Sequence, residues 1–286
     1  MLENRQEYQG GAYDIIWVAG QSNAEGYGLG DAAPYAPFVA DGDILALRDT
    51  CGYRFLKDES GRDFLQLLGY PTVTKISVAE ELLGMDGLPR ASFALPFARA
   101  YKERYLAEGR RVLVVYTAVG GTCFARGEWG VDCLLSNRAV GMVKEALSLS
   151  EDSRIVALLW HQGESDAGQP NLTPDKRYRT HKDHLSRQFG LFRDLFGRDF
   201  PILAGGFARS WADQLPTATD AVLRAIEDVL AEDGYGAMAS SLGLLSNAQA
   251  NEGNTDAIHF SRVGLHGLAE RYFDLYRSLL DKTPAK

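Results

Sequence analysis

The chain has 286 residues, of which 45% are hydrophobic and 24% charged, with a formal net charge of −8. That composition supplies a sizeable buried core and excludes a disordered or low-complexity protein. The acidic balance, with no clustering of Lys and Arg, argues against nucleic acid or an anionic membrane as partner.

The first residues, MLENRQEYQGG, lack a basic stretch followed by an apolar run, so a cytoplasmic location is expected. No apolar run has the length of a membrane span. Residues 13–20, YDIIWVAG, read as a buried strand that stops at Gly20, and Gln21, Ser22 and Asn23 follow at once. Residues 42–92 break the rhythm. DILALRDTCGYRF reads there as a strand or hairpin, and the segment is expected to be an insertion near one edge of a sheet. Beyond it, strands and helices alternate. Helical patterns cover 94–108, 137–149, 174–196 and 213–232, and buried strands cover 110–121, 153–163 and 200–208. Thr173 before Pro174 is a helix start, a cap residue followed by proline in the first helical position. Residues 261–280 form an amphipathic closing helix with Ser261 as its N-cap.

Continuous apolar strands separated by helices imply a parallel sheet covered on both faces. The expected fold is therefore a three-layer α/β/α sandwich forming one domain over residues 1–286. The three cysteines, Cys51, Cys123 and Cys133, are an odd number without C-x-x-C spacing, which favours neither a disulfide scaffold nor a zinc site. No metal and no cofactor is expected.

In open parallel sheets, ligands bind beyond the carboxyl ends of the strands. Ser22 follows the first strand, and Gly120 and Gly121 follow the second of the buried runs. His161, Gln162 and Glu164 follow the third. Just before the last helix stands TDAIHFS, with Asp256 and His259 three residues apart. A serine hydroxyl needs a base to become a nucleophile. An aspartate three residues before a histidine can share a turn with it and bind one ring nitrogen, leaving the other to face Ser22. An acyl oxyanion needs donors. The candidates are the Ser22 N–H, a glycine N–H at 120 or 121, and the side-chain amide of Gln162 or Asn23. Glu164 is a supporting residue and the second choice for the triad acid. His161 reads as buried and hydrogen-bonded.

The segments GQSNAEG (20–26), AVGGT (118–122), WHQGESD (160–166) and DAIHFS (256–261), in this order, resemble the SGNH hydrolases. Within them they are similar to the branch holding sialate O-acetylesterases and acetylxylan esterases of carbohydrate esterase family 6. The resemblance implies a flavodoxin-like fold and metal-independent removal of acetyl groups from sugars. It makes Ser22 the nucleophile, His259 the base and Asp256 the orienting acid. It places the Ser22 N–H, a glycine N–H at 120–121 and the Gln162 amide in the oxyanion hole. HQGE stands where the broader superfamily has a G-x-N-D block. Gln21 and Asn23 flank the serine as supporting residues. Arg126 and Trp129, after the glycine pair, are candidates to touch a sugar, with core packing the alternative for Trp129.

Three rival functions remain at this stage. One is an esterase or thioesterase for longer acyl chains on the same triad, and another is a non-catalytic carbohydrate-binding relative. The third, a nucleotide-binding protein, is disfavoured because GYGLG is followed by Asp31 and does not make G-x-G-x-x-G. Acetyl transfer to a second sugar is the variant of the leading reading. The expected partner is an acetylated carbohydrate.

Overall fold

The computed structural model describes residues 1–30, 37–50, 52–59, 63–67, 73–84 and 86–282. In chain order the elements are α1 (Arg5–Tyr8), β1 (Ala12–Gly20), α2 (Ser22–Glu25), β2 (Ile44–Asp49), β3 (Tyr53–Lys57) and β4 (Asp63–Leu67). Then come β5 (Thr74–Val78), β6 (Leu82–Leu83), β7 (Pro89–Arg90), α3 (Ala94–Tyr105), β8 (Arg110–Tyr116), α4 (Leu134–Leu147) and β9 (Arg154–His161). The last third holds α5 (Glu164–Ala167), α6 (Pro174–Phe196), β10 (Ile202–Gly205), α7 (Arg209–Ala212), α8 (Pro216–Asp233), β11 (Gly236–Ala239), α9 (Asn247–Ala250) and α10 (Arg262–Lys282).

Seven strands form one sheet in the order β11-β10-β9-β1-β8-β2-β5. All pairings are parallel except β2 with β5 at one edge. Alternation along β1 divides the core, because successive strand side chains point to opposite faces. Ile15, Trp17 and Ala19 pack with α4, α6 and α8, while Ile16 and Val18 pack with α3 and α10. The result is the expected three-layer sandwich. The first strand lies between β8 and β9, so the chain leaves it at the point where strand order reverses. A cleft at the carboxyl ends opens at such a point.

At the opposite end of β1, Asp14 is fully buried. Its carboxylate accepts from Arg110 at 2.9 and 2.7 Å, from Arg154 at 2.7 Å and from the Tyr101 hydroxyl at 2.7 Å. Burial would raise the Asp14 carboxyl, but these partners together hold it below the usual carboxylate range.

Several boundaries differ from the sequence reading. The helix expected from 94 stops at Tyr105, and the one expected from 137 starts at Leu134. The one expected from 213 begins at Pro216, where proline takes the first turn. Both predicted caps form: Thr173 Oγ1 accepts from Lys176 N at 3.3 Å, and Ser261 Oγ accepts from Gly264 N at 3.1 Å. Strand β11 was not expected, because GAMA lacks the β-branched residues that signal a strand. Residues 42–92 do more than insert. Two of their strands, β2 and β5, extend the main sheet, while β3–β4 and β6–β7 form separate two-stranded ribbons. Cys51 lies outside the described residues, and Cys123 and Cys133 are free thiols. Among the described residues no helix is long and apolar enough to cross a membrane, and no cluster of metal-ligating side chains occurs.

Candidate active site

The carboxyl end of β1 is pinned to its neighbour. Gly20 pairs with His161 at the end of β9, and Gln21 N donates to His161 O at 2.8 Å. Gly20 has φ +127°, and a Cβ there would lie 2.0 Å from the His161 carbonyl oxygen. Only glycine allows so close an approach in that conformation. The chain then turns into α2, which begins with Ser22.

From the far end of the chain, the loop between α9 and α10 brings His259 to the serine. His259 Nε2 lies 2.8 Å from Ser22 Oγ, and His259 Nδ1 lies 2.8 Å from Asp256 Oδ2. The His259 backbone N–H also donates to Asp256 Oδ1 at 3.2 Å. Burial acts to raise the Asp256 carboxyl, yet the bonds from His259 and Asn247 and the histidine charge bring it down to about 2. It is thus ionised across the neutral range. Tyr27 stacks on the His259 ring at 4.9 Å between centroids. Such an arrangement holds one imidazole tautomer and aims the other nitrogen at the hydroxyl.

Asn23 ties these segments together. Its amide donates to Glu164 Oε1 at 2.7 Å and to Ile258 O at 3.2 Å, and its oxygen accepts from Phe260 N at 3.1 Å. The residues on both sides of His259 are therefore fastened to the residue after Ser22. Glu164 is fully buried against His161, with Oε1 3.1 Å from His161 Nε2, and makes no contact with His259. Its position is that of a support, not of a triad acid. Gln21 Oε1 accepts from Gly163 N at 3.3 Å and Ser165 N at 3.2 Å, joining the serine turn to the loop after β9.

Four expectations need correction. The Gln162 amide is buried and donates to Asp166 Oδ2 at 2.6 Å, so it is committed away from the serine. The Gly120 N–H, beside Ser22 as expected, is directed at Glu25 Oε2 at 2.7 Å and is not open. Among the described residues the Ser22 and Gly121 N–H groups have no acceptor. Trp129 is fully buried, donates to Thr122 Oγ1 at 2.9 Å and packs edge-on to Trp160, so it is core. Arg126 is engaged by Glu128 at 2.9 Å and by the Gly121 carbonyl, and braces the glycine loop.

Two residues of the site had no signal in the sequence. Asn247 donates to Asp256 Oδ2 at 2.9 Å and to Tyr27 O at 3.0 Å, fixing the acid and the stacked tyrosine at once. Tyr53, from the segment 42–92, donates to Glu25 Oε2 at 2.9 Å. Beside Asp256 opens a cavity of about 550 Å³ lined by Tyr27, Leu82, Leu83, Arg90 and Asn247 among others.

The family model described as carbohydrate esterase, sialic acid-specific acetylesterase matches residues 12–278. The chain belongs to this family of sialic acid-specific acetylesterases. It is accordingly a carboxylic ester hydrolase that removes O-acetyl groups from carbohydrate. Solved structures share the fold seen here. NanS matches at a TM-score of 0.72 with 17% identity, covering 96% of this chain and 99% of that one. A protein from Arabidopsis thaliana matches at 0.63 with 18% identity, over 95% and 99% of the two chains. A carbohydrate acetylesterase from Xanthomonas citri matches at 0.58 with 15% identity, over 95% of this chain and 57% of that one. No curated protein gives a significant sequence match.

Proposed function

We propose that Ser22, His259 and Asp256 carry out the deacetylation through an acetyl-serine intermediate. The observation that supports this reading is the relay from Ser22 Oγ through His259 to Asp256, with both links at 2.8 Å. In the first half-reaction Ser22 Oγ attacks the acetyl carbonyl carbon and its proton passes to His259 Nε2. The bond to the sugar oxygen then breaks, and His259 returns that proton to the leaving oxygen. In the second, water gives a proton to His259 and attacks the acetyl carbon; the bond to Ser22 Oγ breaks, His259 returns the proton to that oxygen, and acetate leaves. Asp256 stabilises the imidazolium in both halves. The Ser22 N–H and a glycine N–H of the 120–121 pair receive the oxyanion.

The substrate we favour is an acidic sugar of the sialate type over neutral acetylxylan. Arg90 lines the cavity beside Asp256, and its Nη1 is buried with no hydrogen-bond partner. Its ion-pair partner, Asp86, is about half exposed and holds only Nη2. A sugar carboxylate in this cavity would pair with the guanidinium in place of half-exposed Asp86, and guanidinium–carboxylate pairs are among the stronger charged contacts. Replacing Arg90 by methionine is expected to raise KM about tenfold for O-acetylated sialic acid and to leave acetylated xylo-oligosaccharides within twofold. Equal KM changes on both would defeat the acidic-sugar reading.

The test of the nucleophile is hydrolysis of p-nitrophenyl acetate and octanoate by wild type and Ser22→Ala. Loss of acetate turnover on the order of 10⁴-fold in the variant, with the melting temperature kept, is expected. Equal turnover by both proteins would remove Ser22 from the reaction. Preference for octanoate would favour a longer-chain esterase.

A further inference from the structure

Glu25 sits one helical turn beyond Ser22, and the deacetylation just described uses it nowhere. Its Oε2 accepts two bonds, from Gly120 N at 2.7 Å and from the Tyr53 hydroxyl at 2.9 Å. A Cβ built on Gly120 would lie 3.1 Å from Glu25 Oε2, 3.2 Å from the Tyr53 oxygen and 3.4 Å from the Ser22 Cβ. The carboxylate and the phenol oxygen therefore both meet the Gly120 N–H, and the Ser22 side chain packs against the same glycine. That N–H is already satisfied, and by the same chemical group as the product acetate.

The carboxylate also has somewhere else to go. Glu25, Tyr53, Arg48 and Arg138 line a cavity of about 390 Å³ together with Ala118 and Val119, just before the glycine pair. Arg138 is held by Asp49. The Arg48 guanidinium carbon lies 3.5 Å from the centroid of the Tyr116 ring, and Arg48 has no carboxylate within ion-pair distance among the described residues. Burial pushes the Glu25 carboxyl up, while Tyr53, the Gly120 N–H and the charges of Arg48 and Arg138 partly offset that.

We propose that Glu25 is an internal occupant of the Gly120 N–H that withdraws toward Arg48 when an ester carbonyl arrives and returns to exclude product acetate. The proposal rests on the serine-esterase reading, and takes Gly120 as the member of the glycine pair whose N–H receives the acyl oxygen. A neutral carbonyl meets no like charge as it approaches, whereas acetate meets an anion already on the donor. Once Glu25 has withdrawn, the N–H is open for the charge that develops on the acyl oxygen. Arg48 is then a positioning residue, acting only through Glu25.

The experiment measures p-nitrophenyl acetate hydrolysis and its inhibition by sodium acetate. It uses wild type, Glu25→Gln, Glu25→Ala, Arg48→Met and the Glu25→Ala/Arg48→Met double variant. Neutralising the occupant is expected to lower the inhibition constant of acetate at least threefold in Glu25→Gln, and further in Glu25→Ala. Arg48→Met is expected to lower kcat/KM about tenfold in the wild-type background and less than twofold in Glu25→Ala, because the residue it serves is gone. The isosteric glutamine keeps the Gly120 bond, so the test survives if the alanine variant does not fold. Acetate constants that shift less than threefold in both Glu25 variants, or an Arg48 loss that is equal in both backgrounds, overturn the proposal. Ser22→Ala, assayed beside them, separates this failure from failure of the serine mechanism: a fully active Ser22→Ala sinks the latter.

Discussion

Strand β1 carries a charged cluster at each end, and the two are built on opposite terms. At its amino end Asp14 is fully buried, and two arginines and a tyrosine fill its carboxylate. At its carboxyl end Asp256 and His259 keep 30% and 20% of their side chains exposed, and the relay ends on a hydroxyl that can leave it. The Asp14 carboxylate is buried and has both oxygens occupied, so it offers a ligand no open acceptor. The second ends beside an open cavity and N–H groups with no acceptor. A perturbed carboxyl is thus no mark of chemistry by itself, since both aspartates are held low. What separates them is whether the partner set is closed.

The sharpest way to break that contrast is to neutralise one acid at each end. Asp256→Asn is expected to lower kcat by about 10⁴-fold with only a modest drop in unfolding midpoint, read by steady-state kinetics beside urea denaturation. Asp14→Ala should do the reverse. It removes one side of a buried ion cluster and costs about 3–5 kcal/mol of stability, with kcat of the folded fraction within twofold. An Asp14 variant that keeps its stability but loses activity would erase the distinction. A smaller effect is expected at Asn23, which grips both flanks of His259. Asn23→Ala should cost about tenfold in kcat, with KM nearly constant, because the base is held less firmly against Ser22.

The smallest effect is in acid. The folded-state pKa of Asp256, about 2, lies below its unfolded value of about 3.9. Its ionised form therefore favours the folded state fully above about pH 4, and that contribution fades as pH falls from about 4 to about 2. The melting-temperature gap between wild type and Asp256→Asn should be constant above pH 4 and close below it. A gap that stays open at pH 2 would contradict the assignment.

Much of this arrangement is legible in the sequence. Buried parallel strands read as unbroken apolar runs, so β1, β8, β9 and β10 and the residues after them stood out. Proximity of Asp256 to His259 needed only their spacing. Gln162 and Gly120 were read less well, since sequence says which groups can donate but not what already accepts from them. Glu25 and Asp166 reach those donors only once the chain is folded. Trp129 stood equally for core or sugar contact, and the fold gives it to the core. Tyr53 and Asn247 gave no warning, because a single tyrosine on a short ribbon or an asparagine in a one-turn helix is common in any loop region.

Ser22 and His259 are 237 residues apart along the chain. Closing so long a loop costs more entropy than pairing β1 with β8 or β9, so the two ends are expected to meet after the central strands have paired. During synthesis the serine turn emerges early and waits, without its base, until the last helix is made. Esterase activity should therefore return in the slowest phase of refolding, after the far-UV signal of the helices has recovered, which makes catalysis itself a reporter that the two ends of the chain have met.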